Sequence, residues 1–148
     1  MFMGHYQHQL DSKGRVAVPA QYRKELGPGS VIGISPDDRL AIWPANEWAE
    51  VAERFRRTAT TPAEERRYIR VLFSNARELE LDGQGRILLT PEHRRFAGID
   101  QTAVFVGVGT CVEVLGSEIW DGEMSSLTPS EFTALHDSVA AATPEPAS

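Results

Sequence analysis

The stretch LDSKGRVAVPAQYRKELG, residues 10–27, returns 71 positions later as LDGQGRILLTPEHRRFAG, residues 81–98. The two copies share a Leu, an Asp, a Gly-Arg pair, a later Arg and a final Gly in the same register. Apolar residues at equivalent positions match in character as well, so we interpret the two stretches as an internal repeat. The chain is therefore predicted to contain two copies of one structural unit.

Short β-rich runs follow each copy and complete the unit. They are VIGIS and LAIW after the first copy, and TAVFVGV and CVEVL after the second. Each unit is thus predicted to read strand, tight turn at DxxGR, strand, short helix, strand, turn, strand. Pro19 and Pro91 suit a first helical turn, and Gly27 and Gly98 suit a left-handed helix end. Because Thr90 stands where the first copy has Pro19, we expect the second helix to begin one residue later.

Each unit is too short to bury a core alone, so the two are predicted to pack together as an internal pseudo-dimer. We place the first unit at residues 5–47 and the second at residues 76–119. Residues 48–75 are predicted to form two bridging helices, the first with an apolar face and the second opened by a capping box at Thr61–Glu64. Residues 120–148 are predicted to hold a C-terminal helix, at about 128–139, and an acidic tail whose last eight residues are disordered.

Charge is distributed unevenly along the chain. The net charge of the whole chain is −6, but residues 1–95 hold all 15 Lys and Arg against 13 Asp and Glu and are therefore slightly basic. Residues 96–148 carry 8 acids and no Lys or Arg. The electrostatic field that a partner meets depends on the charges near the contact. An acidic net charge for the whole chain therefore does not exclude DNA as a partner.

Several classes of function are disfavoured by composition. No apolar run approaches the roughly 18 residues of a membrane span, and the N-terminus lacks signal-peptide features, so we expect a cytoplasmic protein without a membrane partner. The single cysteine, Cys111, excludes an internal disulfide and fits a buried small side chain. His5 and His8, three apart in a strand, point to opposite faces and do not predict a metal site. We expect no metal, no cofactor and no small-molecule substrate.

The repeated pentapeptide carries the candidate chemistry. Asp11 and Asp82 can accept backbone N–H bonds within the turn or can pin the arginine. The arginines themselves, Arg15 and Arg86, offer donors suited to phosphate oxygens or a guanine edge. Gly14 and Gly85 give the backbone freedom, and Lys13 and Gln84 are long donors at the loop tips. The alternative is an ordinary hairpin closed by an internal Asp–Arg pair. Duplication favours the binding interpretation, because two matched loops make a bivalent surface suited to a repeating polymer.

The sequence resembles the MraZ family of bacterial transcriptional regulators, which are built from two SpoVT/AbrB-like repeats. The likeness lies in the opening MFMGHYQHQLDSKGRVAVPAQYR, in WPANEW (residues 43–48), in FSNARELELDGQGRILL (residues 73–89) and in VGVG (residues 106–109). It implies an interleaved, swapped-hairpin, double-psi-like β-barrel with peripheral helices. The family's DxxxR motif maps onto Asp11/Arg15 and Asp82/Arg86.

The function implied by the resemblance is sequence-specific binding of double-stranded DNA. Members resemble one another in binding short direct repeats at the promoter of the division and cell-wall gene cluster, as ring-like homo-oligomers, which implies a nucleoid-associated protein. The DNA-contacting residues would be Lys13, Arg15, Gln84 and Arg86, with Asp11, Gly14, Asp82 and Gly85 supporting the turns.

Three alternatives remain open. An enzyme is disfavoured, because each matched Asp comes with an Arg in the same turn, which suits structure better than acid–base work. An AbrB-like oligomerisation platform that binds a protein partner is the second alternative. The arginine-rich segment RFRRTATTPAEERRYIR, residues 54–70, is a third possibility, as a second DNA surface, although mixed charge favours a solvated or subunit-facing helix.

Overall fold

The computed structural model describes residues 1–56 and 62–142 and has an α+β fold in which all strand pairs are antiparallel. Its strands are β1 (His5–Gln9), β2 (Arg15–Ala17), β3 (Val31–Ser35), β4 (Arg39–Trp43), β5 (Arg77–Glu78), β6 (Arg86–Leu88), β7 (Thr102–Gly107) and β8 (Val112–Gly116). Its helices are α1 (Ala20–Leu26), α2 (Ala45–Arg54), α3 (Ala63–Ser74), α4 (Pro91–Phe96), α5 (Ser117–Ser125) and α6 (Pro129–Ala142). The predicted order of elements in both units is confirmed.

The two units interleave their strands. The larger sheet has the order β1-β7-β8-β4-β3-β5, and β2 pairs with β6 in a separate two-stranded ribbon. The first strand of each unit therefore pairs with the hairpin of the other, β1 with β7 and β5 with β3. Among the described strands the six-stranded sheet is open, with β1 and β5 at its edges, so closure into a barrel stays a prediction.

The pairing follows the 71-residue offset of the sequence repeat. In the ribbon Val16 faces its own counterpart Ile87, and the flanking pairs Arg15–Leu88 and Ala17–Arg86 exchange under the offset. The offset does not extend to the hairpins that follow. The β3–β4 hairpin pairs Val31 with Trp43, and the β7–β8 hairpin pairs Ala103 with Gly116, so the positions in the two hairpins are not related by 71 residues.

The core lies between the ribbon, the larger sheet and the short helices. The inward residues of the ribbon, Val16 and Ile87, are buried, as is Leu89 directly after it. Buried side chains from β4, β7 and β8 pack in the same cluster, including Leu40, Ile42, Phe105, Val112 and Val114. Each such side chain contributes roughly 1.5–3 kcal/mol on burial. Both units supply the core, in agreement with the predicted internal pseudo-dimer.

The short helix of the second unit does not begin late. α1 begins at Ala20 and α4 at Pro91, which are equivalent positions under the offset. The expected delay is wrong because the Thr90 hydroxyl caps the helix by accepting the backbone N–H of His93 at 3.1 Å. Threonine thus starts the helix where the first unit uses Pro19.

The bridging helices pack through aromatic side chains. Trp48 on α2 contacts Trp43 and Phe73, with ring centroids 5.2 and 5.4 Å apart. This agrees with the predicted apolar face of α2. The predicted capping box before α3 includes Thr61, which lies outside the described residues.

The described residues from Glu118 onward form a second compact unit. Its helix α6 continues to Ala142, so two of the eight residues predicted to be disordered are helical, as suits an alanine run. The remaining six lie outside the described residues. None of the helices in the described ranges is long and apolar enough to cross a membrane.

Candidate nucleic-acid interface

The two DxxGR turns have the same fold and the same hydrogen bonds within the turn. In the first turn the Asp11 carboxylate accepts the backbone N–H groups of Lys13 and Arg15, both at 2.9 Å. In the second, Asp82 accepts those of Gln84 and Arg86, again at 2.9 Å. Gly14 and Gly85 have φ of 80° and 75°, in the left-handed region that favours glycine. The repeated sequence therefore encodes one rigid turn twice.

Each aspartate also holds the arginine of its own turn. Arg15 Nε donates to Asp11 Oδ2 at 2.7 Å, and Arg86 Nε donates to Asp82 Oδ2 at 2.9 Å. Arg86 Nη1 lies 3.3 Å from Asp11 Oδ2 as well, so it joins the two turns. The sequence left open whether the aspartate serves the backbone or the arginine, and the structure shows that it serves both.

The arginines keep accessible donors despite these ion pairs. The side chains of Arg15 and Arg86 are 35% and 27% exposed. Among the described residues, the Nη atoms of Arg15 have no hydrogen-bond partner, whereas Arg86 uses one of its two. Lys13 and Gln84 are exposed at the turn tips. The outer edge of each turn therefore offers cationic and amide donors to solvent.

The ribbon of β2 and β6 brings the two turns together. Its inward positions are buried, and its outward positions are Arg15 and Ala17 on β2 and Arg86 and Leu88 on β6. The turns are locked to the opposite strand by Leu89 N–H donating to Gly14 O and Val18 N–H donating to Gly85 O, both at 3.0 Å. The two turns, with the four predicted donors and the four supporting residues, thus lie on one ribbon, in which Gly14 and Gly85 are buried.

Two further arginines, which were not predicted as site residues, complete this surface. Arg94 of α4 crosses to the first turn, where a Cβ on Gly14 would lie 3.3 Å from its Cζ. Arg23 of α1 crosses to the second turn so closely that a Cβ on Gly85 would overlap its guanidinium. Arg23 and Arg94 are equivalent under the offset and are the later matched Arg of the repeat, a signal that could have identified them.

The turn carboxylates are stabilised in the ionised form. The backbone N–H of Arg15 lowers the pKa of Asp11 to about 2, helped by the Arg15 side chain and the Lys13 N–H against partial desolvation. The backbone N–H of Arg86 likewise lowers the pKa of Asp82. Both aspartates are therefore charged at neutral pH and keep the arginines oriented.

The other residues singled out from the sequence lie outside the two turns. His8 Nδ1 is 2.7 Å from the Ala17 carbonyl oxygen, to which it donates, and its ring contacts Phe105. Cys111 is half-buried, and burial raises the pKa of its thiol to about 11. In the ranges that the structure covers, no group of three or more His, Cys, Asp or Glu side chains could hold a metal ion.

The fold and the turns define a class: a two-unit α+β protein with interleaved strands and a paired DxxGR ribbon. A family model described as "MraZ protein, putative antitoxin-like" matches residues 1–71 and again residues 72–137. A relative from Desulforamulus reducens is 45% identical over 121 residues, covering 82% of this chain and 85% of the relative. One from Moorella thermoacetica is 42% identical over 135 residues, covering 91% and 94%. Both are named Transcriptional regulator MraZ. The chain belongs to the MraZ family, as its motifs indicated.

Proposed function

We propose that this protein is a DNA-binding transcriptional regulator that contacts double-stranded DNA through its two DxxGR turns. The observation that carries the proposal is the pairing of the turns on one ribbon, with partly exposed arginines held at their Nε atoms and open at their outer edges. The names of the relatives support the regulatory role. Lys13, Arg15, Gln84 and Arg86 make the contacts, and Asp11, Gly14, Asp82 and Gly85 support them.

The chemistry of the surface fits a polyanion. An arginine whose Nε is anchored by a carboxylate loses little further freedom when its Nη groups bind a phosphate or a guanine edge. Arg94 lies over Gly14 and Arg23 over Gly85, so each adds positive charge beside one turn. The carboxylates of Asp11 and Asp82 offset part of this charge, so one protomer binds DNA weakly.

Several weak contacts made at the same time give a high overall affinity. We propose that protomers assemble into a ring-like homo-oligomer with the interleaved strands closed into a barrel, so that several ribbons engage successive direct repeats. The target is the promoter of the division and cell-wall gene cluster, and the protein is nucleoid-associated. Linked contacts raise affinity by factors on the order of 10² to 10⁴ without new chemistry.

A gel-shift titration with a fragment of that promoter tests the proposal. We expect Arg15→Ala and Arg86→Ala to weaken binding by more than tenfold, because each lesion recurs in every subunit. Arg70→Ala on α3 is the matched control: it removes an exposed arginine of the alternative arginine-rich segment and should bind as the wild type does. Circular dichroism establishes that each variant is folded.

The opposite pattern would contradict the proposal. Turn variants that bind like the wild type, while Arg70→Ala fails to bind, would move the DNA surface to the bridging helices. DNA retention that depends neither on salt nor on Arg15 and Arg86 would favour the oligomerisation platform that binds a protein partner.

A further inference from the structure

Leu88 is an exposed leucine in the middle of the arginine surface. It is 53% exposed and occupies the outward position of β6 directly opposite Arg15. Isolated exposed leucines are common and need no explanation. This one is different in its position, because the outward face of a three-residue ribbon holds only four side chains and two of the others are Arg15 and Arg86.

We propose that Leu88 reads DNA bases, by an apolar contact with the 5-methyl group of a thymine next to the base or phosphate held by Arg15. This inference rests on the proposed DNA-binding function. The major groove is about 12 Å wide and admits a two-stranded β-ribbon, whose strands lie about 4.8 Å apart. The thymine methyl is exposed in that groove and is a typical partner for apolar side chains.

The charge around Leu88 favours a base over the backbone. Leu88 shares a shallow cavity of about 110 Å³ with Arg77, Glu78 and Glu80, which lie before the second turn. The two carboxylates outnumber the one guanidinium, so this lining does not attract a phosphate, and it does not repel a neutral methyl group. Arg15, on the other strand, supplies the positive charge that holds the duplex against the ribbon.

Leu88 also makes the two halves of the ribbon unequal. Its counterpart under the offset is Ala17, opposite Arg86, which is too short to make the same contact. Gln7 and Gln9 are the counterparts of Glu78 and Glu80. Because operator symmetry mirrors protein symmetry, an unequal ribbon prefers one orientation on each DNA box. This is the property that binding to direct repeats requires.

Thymine replacement tests the contact. Each thymine of the promoter fragment is replaced in turn by deoxyuridine, which lacks only the methyl group, and dissociation constants are measured for the wild type and Leu88→Ala. At one or two positions we expect the wild type to bind the deoxyuridine form about fourfold more weakly than the thymine form. This factor corresponds to the burial of one methyl group. Leu88→Ala should bind the thymine and deoxyuridine forms equally. Leu81→Ala, which truncates a leucine that is 43% exposed before the second turn, should keep the wild-type dependence.

The outcomes separate this inference from the proposed function. A wild type that does not bind the fragment, or that binds it without needing Arg15, overturns the proposed function. If the wild type binds through Arg15 but deoxyuridine affects wild type and Leu88→Ala equally, only the role of Leu88 is overturned. That role is also overturned if light scattering shows that Leu88→Ala lowers the assembly mass while the thymine dependence persists.

Discussion

At the scale of single residues, the aspartate of each turn fixes the orientation of an arginine. Asp11 uses one oxygen for two backbone N–H groups and the other for the Arg15 Nε. The strongest cause of its lowered pKa is the backbone bond rather than the Arg15 side chain. The Asp11 carboxylate therefore closes the turn and holds the Arg15 Nε, while the Arg15 Nη atoms keep no hydrogen-bond partner among the described residues.

The lowered pKa of Asp11 predicts how stability depends on pH. A carboxyl whose folded-state pKa is lowered contributes stability above its unfolded value, near 3.8, and loses it as the pH falls towards about 2. We expect Asp11→Asn to reduce the free energy of unfolding at pH 7, and the gap to the wild type to stay constant down to about pH 4 and shrink below it. Urea unfolding at pH 7, 5 and 3 measures this gap.

A gap that changes between pH 5 and pH 7 would assign the stability to another group. Asp37→Asn, in the β3–β4 turn, is the matched control. It removes one carboxylate outside the DxxGR turns, so its unfolding free energy is compared with that of Asp11→Asn at the same three pH values.

At the scale of elements, the ribbon joins the two units and sets the spacing of the turns. Each turn lies against the opposite strand and under an arginine from the other unit. The glycines are needed there for two reasons, a positive φ and the close approach of an arginine. The proposed binding surface is therefore a product of the interleaving, and neither unit could form it alone.

Glycine substitutions in the second turn test this packing. Gly85→Ala is expected to lower the free energy of unfolding by about 1–2 kcal/mol, because it places a Cβ in the left-handed region, and to displace Arg23. Gly83→Ala, two residues earlier, has open space around its Cβ and no positive φ, so it should leave stability unchanged. Urea unfolding compares the two. Equal losses for both variants would show that the turn conformation is not what the glycine protects.

The sequence predicts local features of this site well and long-range ones poorly. The DxxGR turn could be predicted because its bonds join residues at most four apart. The capping role of Thr90 is also a local signal, because its hydroxyl accepts the N–H of His93 only three residues away and so starts the helix as early as Pro19 does. The placement of Arg23 over Gly85 depends on the pairing of β2 with β6, 71 residues apart, and on the register of that pairing. The register of β5 against β3 lies outside the stretches that align without a gap, residues 10–27 and 81–98, and could not be predicted from them.

At the scale of the whole molecule, charge is separated along the chain. The turns and their crossing arginines lie in the part of the chain that holds all the Lys and Arg, and residues 96–148 hold none. A net charge of −6 opposes long-range attraction to DNA. In the proposed complex the affinity must therefore come from local contacts of arginines with phosphates, which release counterions from the DNA. Binding is therefore expected to weaken steeply as salt increases.

The most direct measurement is the dissociation constant for promoter DNA across a salt series, for the wild type and for the Arg15→Ala/Arg86→Ala variant shown to be folded. We predict a steep salt dependence for the wild type. In the variant, binding should be much weaker and the slope of log K against log salt should be less negative by about 2 for each engaged protomer. A variant that binds as tightly as the wild type, with the same slope, would contradict the claim that the two turns meet the DNA.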